Sequence, residues 1–418
     1  MPTPHLTPTP IPPPGTKAES VRFQLGFYNT GTAFWMGSFS IQQLLVTWIL
    51  IGILDESPER VGLAQMLIGI PGLIFMLWGG AIGDRMDGRK LLIQVHFLSA
   101  IPPLILAFAS FEGLIGFWLL IFVSLAANLL NSASNPTRNT ILNTVAENKL
   151  QFAISLSTGI GSLASMAGTK VAGELDSLGL ENVLFLQSAL FILGGLFVAK
   201  LRPLPSPTIK TGRKSSLETI RDGLGHVWRF KLARDLIALN SLSSFFNAGA
   251  WMVAVPFIIT RVYEGNAVLL GNMVITFHFG ALVATFGLLR FMPLLRPGRL
   301  YLIMQISRIP VLVFIWLKPE IWLFWAAVAY WGFNMGITST MSRLMVQEFA
   351  STEYRSRVMS IFTLGMMSSV PVGSMVLGFI IGRWGPLNAL IPAMIASICI
   401  FCFGYFATGI WKYQSPMR

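Results

Sequence analysis

Charge is scarce in this chain. Only 11% of its 418 residues are Asp, Glu, Lys or Arg, where a soluble domain carries about 25%. That shortage excludes an ordinary soluble globular protein. Cysteine is scarcer still, with Cys399 and Cys402 alone. Two thiols give no disulfide framework and cannot complete a usual zinc site, so both are expected to act as small packing residues. The four histidines are scattered at positions 5, 96, 226 and 278. No nucleophile–base pair, paired-carboxylate site or metal cluster accompanies them, so the chain is not expected to be an enzyme or to hold a metal or cofactor. A Gly-x-x-x-x-Gly-Lys-Ser/Thr loop is also missing, which argues against ATP-driven work by this chain.

Apolar residues fill the space that charge leaves. They make up 54% of the sequence and arrive in blocks at 23–51, 61–82, 91–111, 113–136, 151–173, 183–201, 235–260, 268–289, 300–317, 320–341, 357–381 and 386–411. A helix of about 20 apolar residues crosses a bilayer, and an all-round apolar helix faces lipid or a large core. The expected fold class is therefore an all-α membrane protein with twelve transmembrane helices. A β-barrel would show short alternating segments instead. The eighteen acids all fall in loops or near the ends of these spans.

The net charge of +12 would suit a nucleic-acid partner, but its distribution points to a lipid surface. With the spans set on alternating sides, one side holds every Lys and Arg except Arg60, Lys170, Arg261, Lys318 and Arg383 opposite, and Arg308 within a span. Basic loops stay inside and bind anionic lipid. Both termini are thus expected in the cytoplasm, in a multi-pass protein of the bacterial plasma (inner) membrane, with no nucleic-acid partner.

Residues 1–22 read as a disordered cytoplasmic tail rich in proline. A six-helix half covers 23–201. A basic linker spans 202–234, where Ser215 and Glu218 form a capping box ahead of an amphipathic surface helix carrying Leu217, Ile220, Leu224, Val227 and Trp228. A second six-helix half covers 235–411, and 412–418 form a short tail. The halves read as repeats. At an offset of 205, Arg138 meets Arg343, Ser155 meets Ser360, Thr158 meets Thr363, Gly168 meets Gly373 and Gly173 meets Gly378.

Between the second and third spans runs Gly80-Ala81-Ile82-Gly83-Asp84-Arg85-Met86-Asp87-Gly88-Arg89-Lys90. This segment resembles the signature loop of the major facilitator superfamily of transporters, matching at Gly80, Asp84, Arg85 and Arg89 and departing at Asp87. The Asp-Arg-x-Asp variant resembles the branch of enterobactin-type siderophore exporters and drug efflux proteins. The resemblance implies the major facilitator fold of two six-helix pseudo-repeats and a secondary active transporter working by alternating access, expected as a monomer. Its implied task is export of a small amphipathic organic molecule, with proton coupling open. A facilitator or importer of a small metabolite on the same fold is the alternative, and a non-transporting receptor or scaffold is the third reading. The resemblance also implies a gate latch in which Asp84 meets Arg138 and the start of helix 11 near Thr352–Arg355.

In the transporters this chain resembles, helices 1, 4, 7 and 10 line a central cavity. On those helices Trp35 and Gln42, Asn128, Asn247 and Trp251, and Asn334 are candidates to hold the substrate; interhelical glue is the competing reading. His278 and Arg308 are the ionisable groups near mid-span, and both are candidates for proton coupling or a buried-charge site. For Arg308 the competing reading is a residue that hydrogen-bonds carbonyls within the bundle. Helix 1 lacks the membrane acid that some exporters of this branch carry, since it reads Trp35-Met36-Gly37-Ser38-Phe39-Ser40.

Overall fold

A computed structural model describes residues 16–83, 87–146, 150–202, 225, 227–228, 230–291, 293–350 and 354–415. Among them run twelve long helical segments: α1 (Thr16–Trp48, carried on to Ile53 by a π turn), α2 (Pro58–Gly83), α3 (Gly88–Phe111), α4 (Phe117–Ala146), α5 (Leu150–Gly173), α6 (Leu180–Ala199), α7 (Lys231–Arg261), α8 (Ala267–Leu289), α9 (Pro297–Trp316), α10 (Ile321–Phe349), α11 (Arg355–Trp384) and α12 (Leu390–Phe406). Eight of these are long and apolar enough to cross a membrane by length and composition. The fold is an all-helical membrane bundle.

Several boundaries differ from the sequence reading. Helix α1 begins at Thr16, inside the segment expected to be a disordered tail, because the proline run ends at Pro14 and Lys17-Ala18-Glu19 accept a helix. Helices α4 and α10 continue to Ala146 and Phe349, past the apolar blocks that ended at 136 and 341, since a helix can project polar turns beyond the hydrocarbon. Cys399 and Cys402 are exposed rather than packed, because they fall on the outward face of α12. Most of the amphipathic linker helix lies outside the described residues. Of its apolar face, Val227 is buried and Trp228 is exposed.

One pairing scheme recurs in the two halves. In the first, α1 packs on α5, α2 on α4 and α3 on α6. In the second, α7 packs on α11, α8 on α10 and α9 on α12. Small residues allow close backbone approach in lipid, where packing rather than hydrophobicity drives helix association. A β-carbon on Gly249 of α7 would come within 2.9 Å of the Gly373 backbone of α11, so only glycine fits there.

The halves meet along α2 with α11 and along α5 with α8. Both seams lie at the end of the bundle opposite the termini. Gly62 of α2 abuts Ser374 and Gly378 of α11, and a β-carbon on Gly62 would stand 2.6 Å from the Ser374 carbonyl oxygen. Gly173 of α5 faces Gly271 of α8 at similar range, 3.1 Å for the corresponding approach. Lys170 adds a polar tie, donating to Glu174 at 2.5 Å and across the seam to Asn272 at 3.3 Å.

Candidate functional site

The polar faces of α1, α4, α7 and α10 turn into their own halves. Trp35 is 1% exposed. Its indole N–H donates to Asn131 Oδ1 at 3.2 Å, and its ring meets Phe191 and His96 edge-on. The Arg138 guanidinium lies over that ring, 3.9 Å from the centroid, close enough for a cation–π contact. Gln42 accepts from Gln187 Nε2 at 2.7 Å and donates to Ser124 at 3.5 Å. These contacts bind α1 to α4 and α6.

Arg308 is wholly buried, and its partners are side-chain oxygens rather than backbone carbonyls. Nε–H donates to Asn334 Oδ1 at 2.9 Å and Nη2 to the same oxygen at 2.8 Å. Nη2 also reaches Thr338 at 3.4 Å, and Nη1 donates to Ser243 at 3.1 Å and Gln305 at 3.2 Å. A guanidinium has five N–H donors, and here five contacts use them. Asn334 is anchored in turn, donating to the Met304 carbonyl at 2.6 Å and to Ser307 at 2.9 Å. Arg308 therefore clamps α7, α9 and α10 together. His278 is not among its partners.

Asn247 of α7 is buried, and neither its amide nitrogen nor its oxygen has a hydrogen bond. It follows Ser243 by four residues and precedes Trp251 by four, so all three share a face. Trp251, half-buried, stacks on Phe277 at 3.9 Å and meets Trp331 edge-on. This stretch of α7 contains two π turns, Ser244–Ala248 and Ala250–Ala254, and such turns concentrate at functional sites. Asn128, also half-buried, donates to the Ile68 carbonyl of α2 at 2.9 Å, beside Pro71 within that helix.

His278 occupies a different environment. Gly271 of α8 touches Thr169 and Gly173 of the other half, and His278 lies seven residues on, along the same face. It is exposed, with Nδ1 2.8 Å from the Val274 carbonyl. The facing helix continues likewise. Seven and fourteen residues before Thr169, Ser162 is half-buried and Ser155 exposed. The two stripes continue the α5–α8 seam towards the terminal end of the bundle, where His278 and Ser155 are exposed. Ser162 escaped the sequence reading and Ser155 entered it only as a repeat match, although their heptad spacing from Thr169 was a usable signal.

Of the latch residues, Asp84, Arg85 and Thr352 lie outside the described residues. Gly80 falls in the last turns of α2. Arg89 donates to the Ala199 carbonyl, tying α3 to the end of α6. Asp87, the departure from the signature, caps α3 by accepting from the Arg89 backbone N–H at 3.0 Å, as an N-cap acid does. Arg138 is buried, donates weakly to Ser134 at 3.4 Å and keeps Nη2 without a hydrogen bond.

A twelve-helix membrane bundle with two like halves, sealed against each other at one end, defines the class of alternating-access transport proteins. The Major Facilitator Superfamily profile matches residues 29–374, and the chain belongs to that superfamily. It is 20% identical over 389 residues to the staphyloferrin A transporter of Staphylococcus aureus (strain NCTC 8325 / PS 47), covering 91% of this chain and 95% of that one. It is 24% identical over 227 residues to the uncharacterized MFS-type transporter YkuC of Bacillus subtilis (strain 168), a match that spans 51% of that protein. Among solved structures, a point variant of the nucleoside transporter NupG superimposes with a TM-score of 0.72 at 14% identity, covering 92% of this chain and all of that one. An inward-facing bacterial homologue of the human lysosomal transporter Spinster gives 0.69 at 14% identity, covering 96% and 98%. The chain is thus a multi-pass secondary transporter of small molecules, not an enzyme.

Proposed function

We propose that this transporter exports a small amphipathic organic molecule of the siderophore or drug class across the bacterial inner membrane, with both termini cytoplasmic. The observation that carries the reading is the placement of His278 and of the Ser155 and Ser162 stripe on open faces that continue the α5–α8 seam. A ligand entering from the terminal end meets these groups first. Trp251 and Asn128, half-buried, are its further contacts. Trp35, Gln42 and Asn334 act one layer behind, fixing the helices that carry them, while the unpartnered amide of Asn247 is a reserve contact for the ligand. The staphyloferrin A transporter, matched along nearly its whole length, supports a siderophore-like cargo. The basic loops at the terminal end support the orientation. Asp84 serves as the latch towards Arg138, whose free guanidinium nitrogen is available to an acid. His278, exposed on α8, is the candidate coupling group on that open face.

The second reading, a facilitator or importer, is favoured by the lack of an acid within the middle of any apolar block. Purified protein in sealed vesicles with an imposed pH gradient separates the two. Labelled staphyloferrin A and ethidium are the probes. Accumulation that follows the gradient supports coupled export, and equilibration that ignores it supports the facilitator. Movement of neither probe would remove this cargo class.

A further inference from the structure

Pro71 sits in the middle of α2. A proline inside a helix has no N–H for the carbonyl four residues earlier, and its ring crowds that turn, so the helix bends or loosens there. In lipid no water makes good the loss, and a neighbouring helix supplies the partner. Asn128 of α4 brings a donor to that turn. Its Nδ2 donates to the Ile68 carbonyl, three residues before Pro71, at 2.9 Å. The same amide reaches the turn after the proline. A β-carbon on Gly72 would stand 3.2 Å from Asn128 Oδ1, so glycine there lets one side chain lie against both sides of Pro71. Asn128 is half-buried, and the bond to Ile68 is the one hydrogen bond its side chain makes among the described residues. Oδ1 therefore keeps its capacity to accept.

The same stretch of α2 carries the seam between the halves. Gly69 lies two residues before Pro71, and a β-carbon on it would come within 2.5 Å of the ring of Pro371, itself a proline inside α11. Gly62, seven residues earlier on that face, abuts Ser374. Ile68 and Gly72, four apart, share the face turned to α4. The arm of α2 before Pro71 is thus docked on the second half, and Asn128 fixes from the first half the angle at which it arrives there.

We propose that Asn128 is the positioning residue for gating at Pro71. Its amide holds the kink of α2 while the seam with α11 is closed. The amide is one rigid plane, so a hydroxyl, amide or amino donor of the cargo that turns Oδ1 towards itself turns Nδ2 away from the Ile68 carbonyl. The kink is then unpinned, and the arm of α2 is free to leave α11. This deepens the reading of Asn128 as a ligand contact, and rests on it, by linking that contact to the seam.

The full chain in lipid nanodiscs, with Cys399 and Cys402 replaced by serine, tests it. The readout is the rate at which a thiol reagent labels Ser374→Cys, at a position buried in the seam. Asn128→Leu keeps the bulk and loses the amide. It is expected to raise the rate about fivefold, as the loss of one net hydrogen bond does. Pro71→Ala restores the missing N–H, and in that background Asn128→Leu is expected to change nothing. An amide that merely glued α2 to α4 would give the same increase in both backgrounds, and that result would overturn the proposal. An unchanged rate in Asn128→Leu with Pro71 in place would overturn it too. Should Pro71→Ala not fold, Pro71→Ser restores the same N–H and takes its place. Ethidium, whose aromatic amino groups are donors, probes the link to cargo. Its binding, followed by fluorescence polarisation, is expected to speed labelling several-fold in the parent and not in Asn128→Leu. Bound ethidium that leaves the parent rate unchanged would overturn that link. Ethidium that does not bind counts against the cargo class proposed above, and the cycle at Pro71 and Asn128 still decides the kink.

Discussion

Arg308 shows what a single residue costs and gives inside the membrane. A lone arginine at mid-span is penalised by several kcal/mol on insertion scales, yet here every guanidinium proton has an acceptor. The clamp is asymmetric. Replacing Arg308 with methionine removes the charge and leaves neutral acceptors that can relax. Replacing Asn334 with alanine leaves the charge buried and strips two of its strongest contacts. Removing one partner of a buried charged pair is the more damaging change. Asn334→Ala is therefore expected to destabilise the protein by about 3 kcal/mol or more, and Arg308→Met by less. Thermal unfolding in nanodiscs ranks the two, and the reverse order would show that Arg308 is not held mainly by Asn334. The sequence marked both residues and their depth. It could not say that they meet, because Arg308 and Asn334 lie 26 positions apart on different helices and only the α9–α10 packing brings them together.

At the scale of the element, apolar blocks were enough to find the helices but not to orient them. Trp35, Ser38 and Gln42 share a face of α1, as the helical period requires, and so do Ser243, Asn247 and Trp251 on α7. Which way such a face turns depends on which neighbour offers a partner, here Asn131 and Gln187 for α1 and Arg308 and Phe277 for α7. Spacing alone does not carry that information. The glycines were more legible, since Gly168 and Gly373 pair in the repeat and both sit at close helix contacts. The seam between the halves is the contact that has to open if access alternates. Gly62→Val places two methyl groups against the Ser374 carbonyl and the Gly378 backbone. Such a substitution is expected to prop α2 away from α11 and, with Cys399 and Cys402 replaced by serine, raise several-fold the thiol labelling of a cysteine placed in the seam at the buried Ser374. Unchanged labelling of Ser374→Cys in the Gly62→Val background would show that this seam is not a gate.

Across the whole molecule, two like halves touch at the end away from the termini and present exposed faces towards the other end. Reciprocal motion of these two ends is the central claim, and distances between spin labels measure it directly. With Cys399 and Cys402 replaced by serine, one pair is placed at the terminal end on Phe152→Cys and Phe286→Cys, and a second pair at the opposite end on Ser177→Cys and Glu264→Cys. All four positions are exposed. In nanodiscs the account predicts two distance populations for each pair, changing weight in opposite directions between pH 8 and pH 5, with Asp84→Asn favouring the long distance at the terminal end. A single unchanging distance for both pairs, in the wild type and in Asp84→Asn, would contradict it.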